Sequence, residues 1–413
     1  MIFAVKVVEI NFADLIGRAF NGYDLMNALN KRPEFKVNQI VAVKNSTDRN
    51  VVSVDELSVT RHVVHNIEER FSIPNTISPN GSLIYQTNEF QDADLLHFHI
   101  LHNGFVSLLD YPKLFNAHPA LWTVHDPWLV SGGCVHPLAC DQWKYGCKNC
   151  PDDADLRYKI DKNQCQLLWQ IKKNIFQEIN PHIIVSSDFM ADYIRKSPLT
   201  SHFENINIIP FGIKVHDFHP ELRKQKKQKF DLDEKKITVG CRGDKGIKGA
   251  QYVIEAFKQV DCKHKFEILT VSAKLKEELP ENISVHQLGW INDKDKMADF
   301  LEACDIFIMP SKAESFGVMA IEAMAAGCAI LCFKGTTVES VTHSPKCGIA
   351  VEYCSSKSLA EALTRIAFSR EEITHRGNLG RWIAEKEYDF ETYVERHRKL
   401  YEKVFYENFQ GGN

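Results

Sequence analysis

The chain has 413 residues, of which 44% are hydrophobic and 25% charged, and its formal net charge is −4. This length exceeds what a single compact core usually fills, so two domains of roughly 100–200 residues are expected. The small negative net charge argues against nucleic acid as the main partner, because phosphate backbones attract strongly basic proteins.

The sequence lacks features of a membrane-spanning or exported protein. It has no apolar run of about 18 residues that would cross a bilayer. The segment "MIFAVKVVEI" is interrupted by charges and is followed by no small-residue cleavage site, so it does not resemble a signal peptide. A cytoplasmic location is expected, and peripheral contact with the inner face of the membrane stays open.

Short apolar segments alternate with helical patterns along nearly the whole chain. Strands are predicted at 3–10, 37–44, 94–100, 120–126, 182–187, 206–212, 237–243, 266–273, 283–289, 305–311, 329–333 and 348–353. Helical patterns lie between them, as at 250–260, 295–304 and 361–368. Buried strands that alternate with helices predict parallel sheets covered on both faces. Two such series predict an α/β fold with two Rossmann-like, doubly wound domains facing a cleft.

The predicted domain boundary lies in "PFGIKVHDFHPELRKQKKQKF", which contains prolines, a glycine and a basic run. We expect one domain at 1–213, a second at 214–390, and a C-terminal helix at 391–413 that crosses back to the first domain. The basic run is interpreted as a solvated surface segment, with a contact to anionic lipid headgroups as the alternative. It consists of Arg223, Lys224, Lys226, Lys227 and Lys229.

Four of the twelve cysteines cluster in an insert at about 131–151, "CVHPLACDQWKYGCKNCP". They are Cys134, Cys140, Cys147 and Cys150. A C-x-x-C pair among loop residues suits a tetrahedral structural Zn²⁺ site, whereas four sulfurs would close the shell of a catalytic one. Two disulfides, or free and redox-sensitive thiols, are the competing interpretations.

The segment "TVGCRGDKGIKGAQYVIEAF" combines a strand, a loop with glycines and cations, and a helix. Arg242 and Lys248 are expected beyond the carboxyl end of the strand, where Arg could hold a diphosphate bidentately and Lys would add a point charge. The segment matches neither the P-loop nor the G-x-G-x-x-G pattern, which argues against those nucleotide-binding classes. An exposed basic turn is the alternative.

In "ESFGVMAIE", two acids, Glu314 and Glu322, bracket the start of an apolar helix expected to open around Phe316 and Gly317. A helix N-terminus is a ready phosphate site, and Gly317 would let the backbone approach the anion. The alternative is that Glu322 faces solvent and Glu314 caps the helix.

Taken together, "RGDKGIKGAQYVIEAF", "LGWI", "MPSKAESFGVMAIEAMAAG" and "GTTVESV" resemble the second domain of the family 4 glycosyltransferases, which have the GT-B fold. Their E-x7-E hallmark is matched by Glu314 and Glu322. The resemblance implies that a sugar is transferred with retention from a UDP- or GDP-sugar. It also implies these roles: diphosphate binding by Arg242 and Lys248, ribose binding by Glu322, sugar binding by Glu314, and distal-phosphate binding by the backbone of Phe316, Gly317 and Val318.

The first half extends the resemblance. "LWTVHDPWLVSGGC" is similar to the family's strand that ends in a cleft-facing histidine, which implies that His125 contacts the sugar near the reaction centre. Asp126 either orients His125 or caps the next turn. "INFADLIGRAFNGYDLMNAL" occupies the place of the family's glycine-rich first loop and contributes Gly17 to the donor site, although the usual adjacent glycine pair is absent. A subset of bacterial members resembles this chain in its Cys-rich insert, which would shape the acceptor side.

Three further histidines, His97, His99 and His102, alternate along and just past a predicted strand. Histidines in such positions are more often satisfied core residues, so they are excluded from the catalytic set.

The leading hypothesis is a hexosyl- or N-acetylhexosaminyltransferase acting on a saccharide or lipid-linked saccharide in bacterial surface polysaccharide synthesis. Cations and a helix N-terminus can stabilise the leaving diphosphate, so no metal or other cofactor is needed for catalysis. The resemblance implies same-face attack without a nucleophilic side chain, and a hydrolytic carboxylate pair fits poorly. The alternatives are a nucleotide-sugar 2-epimerase, a phosphorylase-like enzyme, for which chain length and a pyridoxal-phosphate lysine motif are missing, and a non-catalytic nucleotide-sugar-binding partner protein.

Overall fold

The computed structural model describes residues 4–54, 58–151, 160–275, 279–280 and 283–410. The chain forms two compact units. The first runs to Pro210 and also includes the chain from Tyr393 onward, and the second is Phe211–Thr392.

The first unit is built on a seven-stranded sheet in the order β3-β2-β1-β4-β5-β6-β7, and all its pairs are parallel. Its strands are β1 (Val5–Ala13), β2 (Phe35–Val43), β3 (Val51–Ser53), β4 (Leu95–Phe98), β5 (Ala120–Val124), β6 (His182–Val185) and β7 (Ile206–Ile208). Its helices are α1 (Tyr23–Leu29), α2 (Ser58–Phe71), α3 (Asn80–Gln86), α4 (Asn88–Gln91), α5 (Tyr111–Phe115), α6 (Cys165–Phe176) and α7 (Asp188–Lys196).

The second unit has a six-stranded parallel sheet in the order β10-β9-β8-β11-β12-β13. Its strands are β8 (Ile237–Arg242), β9 (Phe266–Val271), β10 (Ser284–Gln287), β11 (Ile306–Met309), β12 (Ala329–Phe333) and β13 (Ile349–Val351). Its helices are α8 (Arg223–Lys229), α9 (Ala250–Gln259), α10 (Lys294–Glu302), α11 (Val318–Ala325), α12 (Thr337–Val341), α13 (Ser356–Ile366) and α14 (Arg370–Glu387).

Both sheets are buried on their two faces, as their continuous apolar strands require. Every residue of β5, β9, β11 and β12 is buried. The twelve predicted strands and the α/β class are confirmed. The short edge strand β3 was not predicted, because three residues after a polar loop give no alternation to detect.

The last helix, α15 (Phe390–Gln410), starts in the second unit and belongs to the first unit from Tyr393 onward. Glu395 pairs with Arg32 at 3.1 Å, and the Tyr401 hydroxyl donates to Glu9 in β1 at 3.1 Å. The C-terminal end of the chain therefore contributes to the interior of the first unit.

The basic segment is only partly solvated, since its cations are paired within the second unit while the side chains of Lys224 and Lys229 stay exposed. Lys227 is buried, and its ammonium group lies 2.6 Å from Asp305. Lys226 and Lys229 both bind Asp299, and Arg223 donates to the carbonyl groups that end α11 and its turn. The charges of α8 thus hold it against α10, the residue before β11 and the turn after α11. Among the described helices, none is long and apolar enough to span a bilayer.

The Lys227–Asp305 pair gives a test of this fastening. Replacing Lys227 by Met should lower the free energy of unfolding by about 3–5 kcal/mol, because Asp305 would remain buried without its cation. Lys224→Met removes an exposed pair with Glu234 and should cost about 0–1 kcal/mol. Urea denaturation of both variants measures the difference, and equal losses would contradict the structural role of Lys227.

Candidate functional site

In the second unit, β8 and β11 are adjacent in the sheet and start the two outward-going halves of the strand order. Ligands of doubly wound sheets bind beyond the carboxyl ends of the strands at this switch point. Arg242 is the last residue of β8, and the loop after β11 carries Glu314. A backbone hydrogen bond of 2.8 Å from Lys312 to Ile247 joins the two loops.

Lys248 and Glu314 meet between these loops. The lysine ammonium group lies 2.6 Å from a carboxylate oxygen of Glu314, and the Thr337 hydroxyl donates to the Glu314 carbonyl at 2.6 Å. No side chain caps α11, so the expectation that Glu314 acts as a helix cap is wrong. The carboxylate instead pairs with Lys248 between the two loops.

Arg242 is the second cation at this edge and is partly exposed. Its guanidinium group donates to Asp244 at 2.9 Å, a partner that the sequence analysis missed although it lies two residues away. The pairing keeps the guanidinium group ordered beside the end of β8 while leaving N–H groups for an anion.

Glycines set the backbone around the two cations. Gly249 has φ +80°, and a Cβ there would lie 2.0 Å from the carbonyl oxygen of Pro310, so only glycine lets α9 start against the end of β11. Gly317, with φ +97°, precedes Val318, where α11 starts one residue later than predicted. The ring of Phe316 is buried, packing edge-on against Phe211. Because the Phe316 ring is packed in the interior, only the backbone of Phe316 is left to contact a ligand.

Glu322 lies on α11 among residues that are almost all buried, and is itself partly exposed. Burial raises the pKa of Glu322 to about 7, against the opposing charge of Lys294. The carboxyl group is therefore not a freely solvated acid, and near neutral pH it can both donate and accept hydrogen bonds.

In the first unit, His125 directly follows β5 and is not an isolated side chain. Its Nε2 lies 3.1 Å from Nδ1 of His99, and Nε2 of His99 lies 2.7 Å from Glu9 in β1. Glu9 and His99 are fully buried. His99 is buried, as expected of a core residue, but it also contacts the predicted sugar-binding histidine. Treating it only as a core residue therefore missed this contact.

Asp126 does not orient His125. One of its oxygens accepts from the backbone N–H of Trp128 at 3.0 Å, capping the 3₁₀ helix Pro127–Val130, and the other lies 3.2 Å from His102. Burial opposes ionisation, but His102 and the N–H group lower the pKa of Asp126 to about 2. Of the two roles left open for Asp126, the structure selects the cap.

The first loop contains two glycines with positive φ, Gly17 at +71° and Gly22 at +92°. A Cβ on Gly22 would lie 1.6 Å from a carboxyl oxygen of Glu9, so only glycine allows the chain to pass over this acid. Gly17 bends the loop and accepts from the N–H groups of Phe20 and Asn21. The need for glycine at position 22 was missed, because it arises from the contact with Glu9, which is not adjacent in sequence.

The four clustered cysteines line one small cavity together with Cys165, the first residue of α6, which was missed. The Cys150 and Cys165 sulfurs are 3.8 Å apart, and the N–H group of Gly132 donates to Cys147 Sγ at 3.3 Å. Burial raises the pKa of Cys147 to about 11, so without a metal it is a thiol at neutral pH. Among the described residues, no three of these sulfurs come within 4.8 Å of one another.

Beneath the cavity, the buried ammonium group of Lys172 donates to the carbonyls of Trp128 and Ser131 at 2.7 and 2.8 Å and lies 3.4 Å from the centre of the Trp128 ring. Burial lowers the pKa of Lys172 to about 7. This lysine, which the sequence analysis did not single out, pins the segment that follows His125 to α6.

A second cluster with metal-ligand chemistry, Glu9, His97 and His99, lies in the first unit. Glu9 and His99 already bond each other directly, and His97 bonds Tyr401 and Thr123. These atoms satisfy one another, so the cluster does not fit a metal ion.

The raised pKa of Glu322 predicts a pH-dependent stability. Between about pH 4.5 and 7 the proton is held by the folded state and not by the unfolded one, so stability falls as pH rises through this window. Across this window the free energy of unfolding of the wild type should fall by about 3 kcal/mol, and Glu322→Gln should remove that fall. Unfolding of the wild type and the variant at pH 4.5 to 8, with exposed Glu361→Gln as the control, measures it. Parallel curves for wild type and Glu322→Gln would contradict the burial effect.

Comparisons with known proteins agree with this geometry. Residues 234–367 match the family described as glycosyl transferases group 1. The chain is 26% identical over 295 residues to a putative colanic acid biosynthesis glycosyl transferase, WcaC, of Escherichia coli K12, covering 68% of this chain and 67% of the relative. It is 28% identical over 207 residues to the Campylobacter jejuni N,N'-diacetylbacillosaminyl-diphospho-undecaprenol alpha-1,3-N-acetylgalactosaminyltransferase, covering 47% and 53%. The matches thus span about half to two thirds of these relatives.

Solved structures match over nearly the whole chain. Sucrose-phosphate synthase from Thermosynechococcus elongatus gives a TM-score of 0.68 at 18% identity, covering 97% of this chain and 98% of the other. Anabaena HepE in complex with UDP gives 0.65 at 16% identity, covering 97% and 100%. At such identities the likeness establishes the fold. The chain therefore has an α/β fold with two parallel-sheet, Rossmann-like domains, which it shares with these solved structures, and its residues 234–367 match the glycosyl transferases group 1 family.

Proposed function

We propose that the protein is a retaining glycosyltransferase of family 4 that moves a hexosyl or N-acetylhexosaminyl group from a UDP- or GDP-sugar to a saccharide or lipid-linked saccharide. Its place would be in bacterial surface polysaccharide synthesis, in the cytoplasm or at the inner face of the membrane. The observation that carries this proposal is the switch point of the second sheet. There Lys248 pairs with Glu314, which lies in the loop that leads from β11 to the start of α11, and α11 has no side-chain cap.

The diphosphate is the part of the donor that this edge suits best. Arg242 and Lys248 would bind its oxygens, and the N–H groups at the start of α11 would receive the distal phosphate. Negative charge develops on the diphosphate as the sugar–phosphate bond breaks. Fixed cations and N–H groups stabilise that charge without reorganising, so we propose that transfer requires no metal ion.

A bound diphosphate would also rearrange the Lys248–Glu314 pair. Lys248 would turn toward the phosphates, and the Glu314 carboxylate, released from its 2.6 Å contact, would accept hydrogen bonds from the sugar hydroxyls. Glu322, further along α11, would bind the ribose. Gly17 and the first loop would complete the donor site, and His125 would contact the sugar near its reacting carbon, with the departing phosphate accepting the acceptor's proton.

The relatives support the substrate class. The Escherichia coli relative is named for colanic acid biosynthesis, and the Campylobacter jejuni relative for a diphospho-undecaprenol acceptor. Anabaena HepE was solved with UDP. These names favour a nucleotide-sugar donor, with UDP first, and a saccharide or lipid-linked acceptor.

A nucleotide-sugar 2-epimerase and a non-catalytic sugar-nucleotide-binding partner protein remain the alternatives. An epimerase would convert the donor without any acceptor. Incubation with single donors therefore separates the classes, and rapid epimer formation would refute the transferase proposal. A binding partner would retain affinity for the nucleotide sugar but transfer nothing to any acceptor.

Arg242→Ala should reduce transfer by roughly 10²–10³-fold, the typical cost of removing one group that stabilises developing charge. A thermal-shift screen of UDP- and GDP-sugars identifies the donor, and turnover is then measured with that donor. Arg365→Ala, which removes an exposed ion pair with Glu372 in the same unit, is the matched control and should keep full activity. Wild-type turnover of Arg242→Ala would refute its role.

We also propose a structural Zn²⁺ in the cysteine cavity, held by four of the five sulfurs of Cys134, Cys140, Cys147, Cys150 and Cys165. The 3.8 Å separation of the last two equals one edge of a tetrahedron with Zn–S bonds of about 2.3 Å. The N–H···S bond from Gly132 suits a thiolate that carries negative charge. The ion would supply no chemistry to the transfer and would fix the loop that follows His125.

Protein purified without added metal should contain about one zinc per chain. Its removal by a chelator should lower the melting temperature by roughly 5 °C or more, because the ion binds only the folded state. Cys150→Ser should lose zinc, whereas Cys262→Ser, a buried cysteine of the second unit, should not. A folded, metal-free protein would contradict the site, and mass analysis without reductant detects a disulfide instead.

A further inference from the structure

Three side chains connect the interior of the first unit to His125. Glu9 Oε2 lies 2.7 Å from His99 Nε2, and His99 Nδ1 lies 3.1 Å from His125 Nε2. Both nitrogens of His99 are thus used, one for the acid and one for the second histidine. A proton moved on Glu9 or His99 therefore changes whether His125 Nε2 accepts or donates a hydrogen bond.

The chain continues behind Glu9. The Tyr401 hydroxyl donates to the other carboxyl oxygen of Glu9 at 3.1 Å and lies 2.6 Å from Nδ1 of His97. Nε2 of His97 lies 2.7 Å from the Thr123 hydroxyl. One consistent set of donors gives each of these contacts one proton. In it, Thr123 donates to His97, His97 donates to Tyr401, and Tyr401 donates to Glu9.

The protonation state of Glu9 decides how the remaining protons are arranged. A neutral Glu9 donates from Oε2 to His99 Nε2, so His99 carries its proton on Nδ1 and donates to His125 Nε2. His125 then carries its own proton on Nδ1. An ionised Glu9 would reverse both bonds and place the His125 proton on Nε2.

Burial favours the neutral arrangement. Glu9, His97, His99 and Tyr401 are each at most 1% exposed, and among the described residues Glu9 forms no ion pair with a lysine or arginine. An isolated charge in such an interior is strongly disfavoured, so buried acids without cations stay protonated. In agreement, burial raises the pKa of Glu9 well above its usual range, against the Tyr401 hydrogen bond, and lowers the pKa of His99 to about 3.

We propose that Glu9 is a neutral carboxylic acid whose proton, relayed by His99, fixes His125 as the tautomer protonated on Nδ1. Glu9 and His99 are then positioning residues, and His125 carries its proton on Nδ1 while its Nε2 accepts from His99. The tautomer stands independently of activity, whereas its use toward a sugar oxygen rests on the proposed glycosyltransferase function.

Glu9→Gln is the decisive variant, because the amide NH₂ group reproduces the donor of a neutral acid and cannot ionise. Histidine-¹⁵N NMR distinguishes protonated from unprotonated ring nitrogens, and the signals lost in His125→Phe identify that ring. Wild type and Glu9→Gln should both show His125 protonated on Nδ1. A proton on Nε2 in the wild type, or a change of tautomer on substitution, would overturn the proposal.

Glu68→Gln is the matched control. Glu68 is another buried acid of the first unit, and it accepts hydrogen bonds from the backbone N–H groups of Asn75, Thr76 and Ile77. This substitution should leave the His125 signals unchanged even if stability falls. A change there would show that the NMR readout follows general destabilisation and would refute the specific relay.

Turnover tests the positioning role. Glu9→Gln should keep kcat within about threefold, whereas Glu9→Leu, which cannot donate, should lose about 100-fold in kcat, the cost of a misplaced group. Equal losses in both variants would refute the role of the proton. If the tautomer is confirmed but the wild type transfers no sugar from any donor, the proposed function fails and the proton relay stands.

Discussion

The constraint on which both units depend is the parallel sheet. Parallel strands all deliver their carboxyl ends to one edge, and where the strand order reverses, the two connections leave in opposite directions. In the second unit this places Arg242 and the loop after β11 side by side. In the first unit β4 and β5 are parallel neighbours, so the residues that follow them lie side by side at the same edge, which is how His99 reaches His125. Neither arrangement requires the residues to be near in sequence.

The two edges use polar groups in different ways. In the second unit the cations are paired but partly exposed, as Lys248 with Glu314 and Arg242 with Asp244, so an incoming anion can replace the acids at small desolvation cost. In the first unit the polar groups are sealed from water, and Glu9 has only neutral partners. An exposed ion pair can exchange partners with a ligand, whereas a series of buried hydrogen-bonded side chains keeps its geometry. The difference fits the roles proposed for them, which are anion binding by the second unit and orientation of His125 by the first.

Much of the fold followed from the sequence, because β-branched segments separated by amphipathic helices leave few other architectures. In the second unit, the positions of Arg242, Lys248, Glu314 and Glu322 could be predicted because two short motifs, each a strand, a loop and a helix, carry them. Asp244 was overlooked because a lone acid in a polar loop gives no signal. The requirement for glycine at position 249 could not be predicted. It arises because a side chain there would collide with Pro310, which lies in another loop.

In the first unit the limits were of the same kind but larger. His99 and His97 form one alternating pattern, and nothing in that pattern distinguishes the ring that contacts His125 from the ring that contacts Tyr401. Gly22, Cys165 and Lys172 each depend on a partner brought by folding. A charged run such as that of α8 indicates a surface by composition, and only the positions of Asp299 and Asp305 show that its lysines are used internally.

The bond from Tyr401 to Glu9 joins residues 392 positions apart. During synthesis, the interior of the first unit therefore stays incomplete until Tyr401 has left the ribosome and folded back onto β1. Until then Glu9, in β1, lacks the hydroxyl group that satisfies its second oxygen. A chain that ends before Tyr401 could form the strands of both sheets and still lack part of the hydrogen-bonded chain that leads to His125.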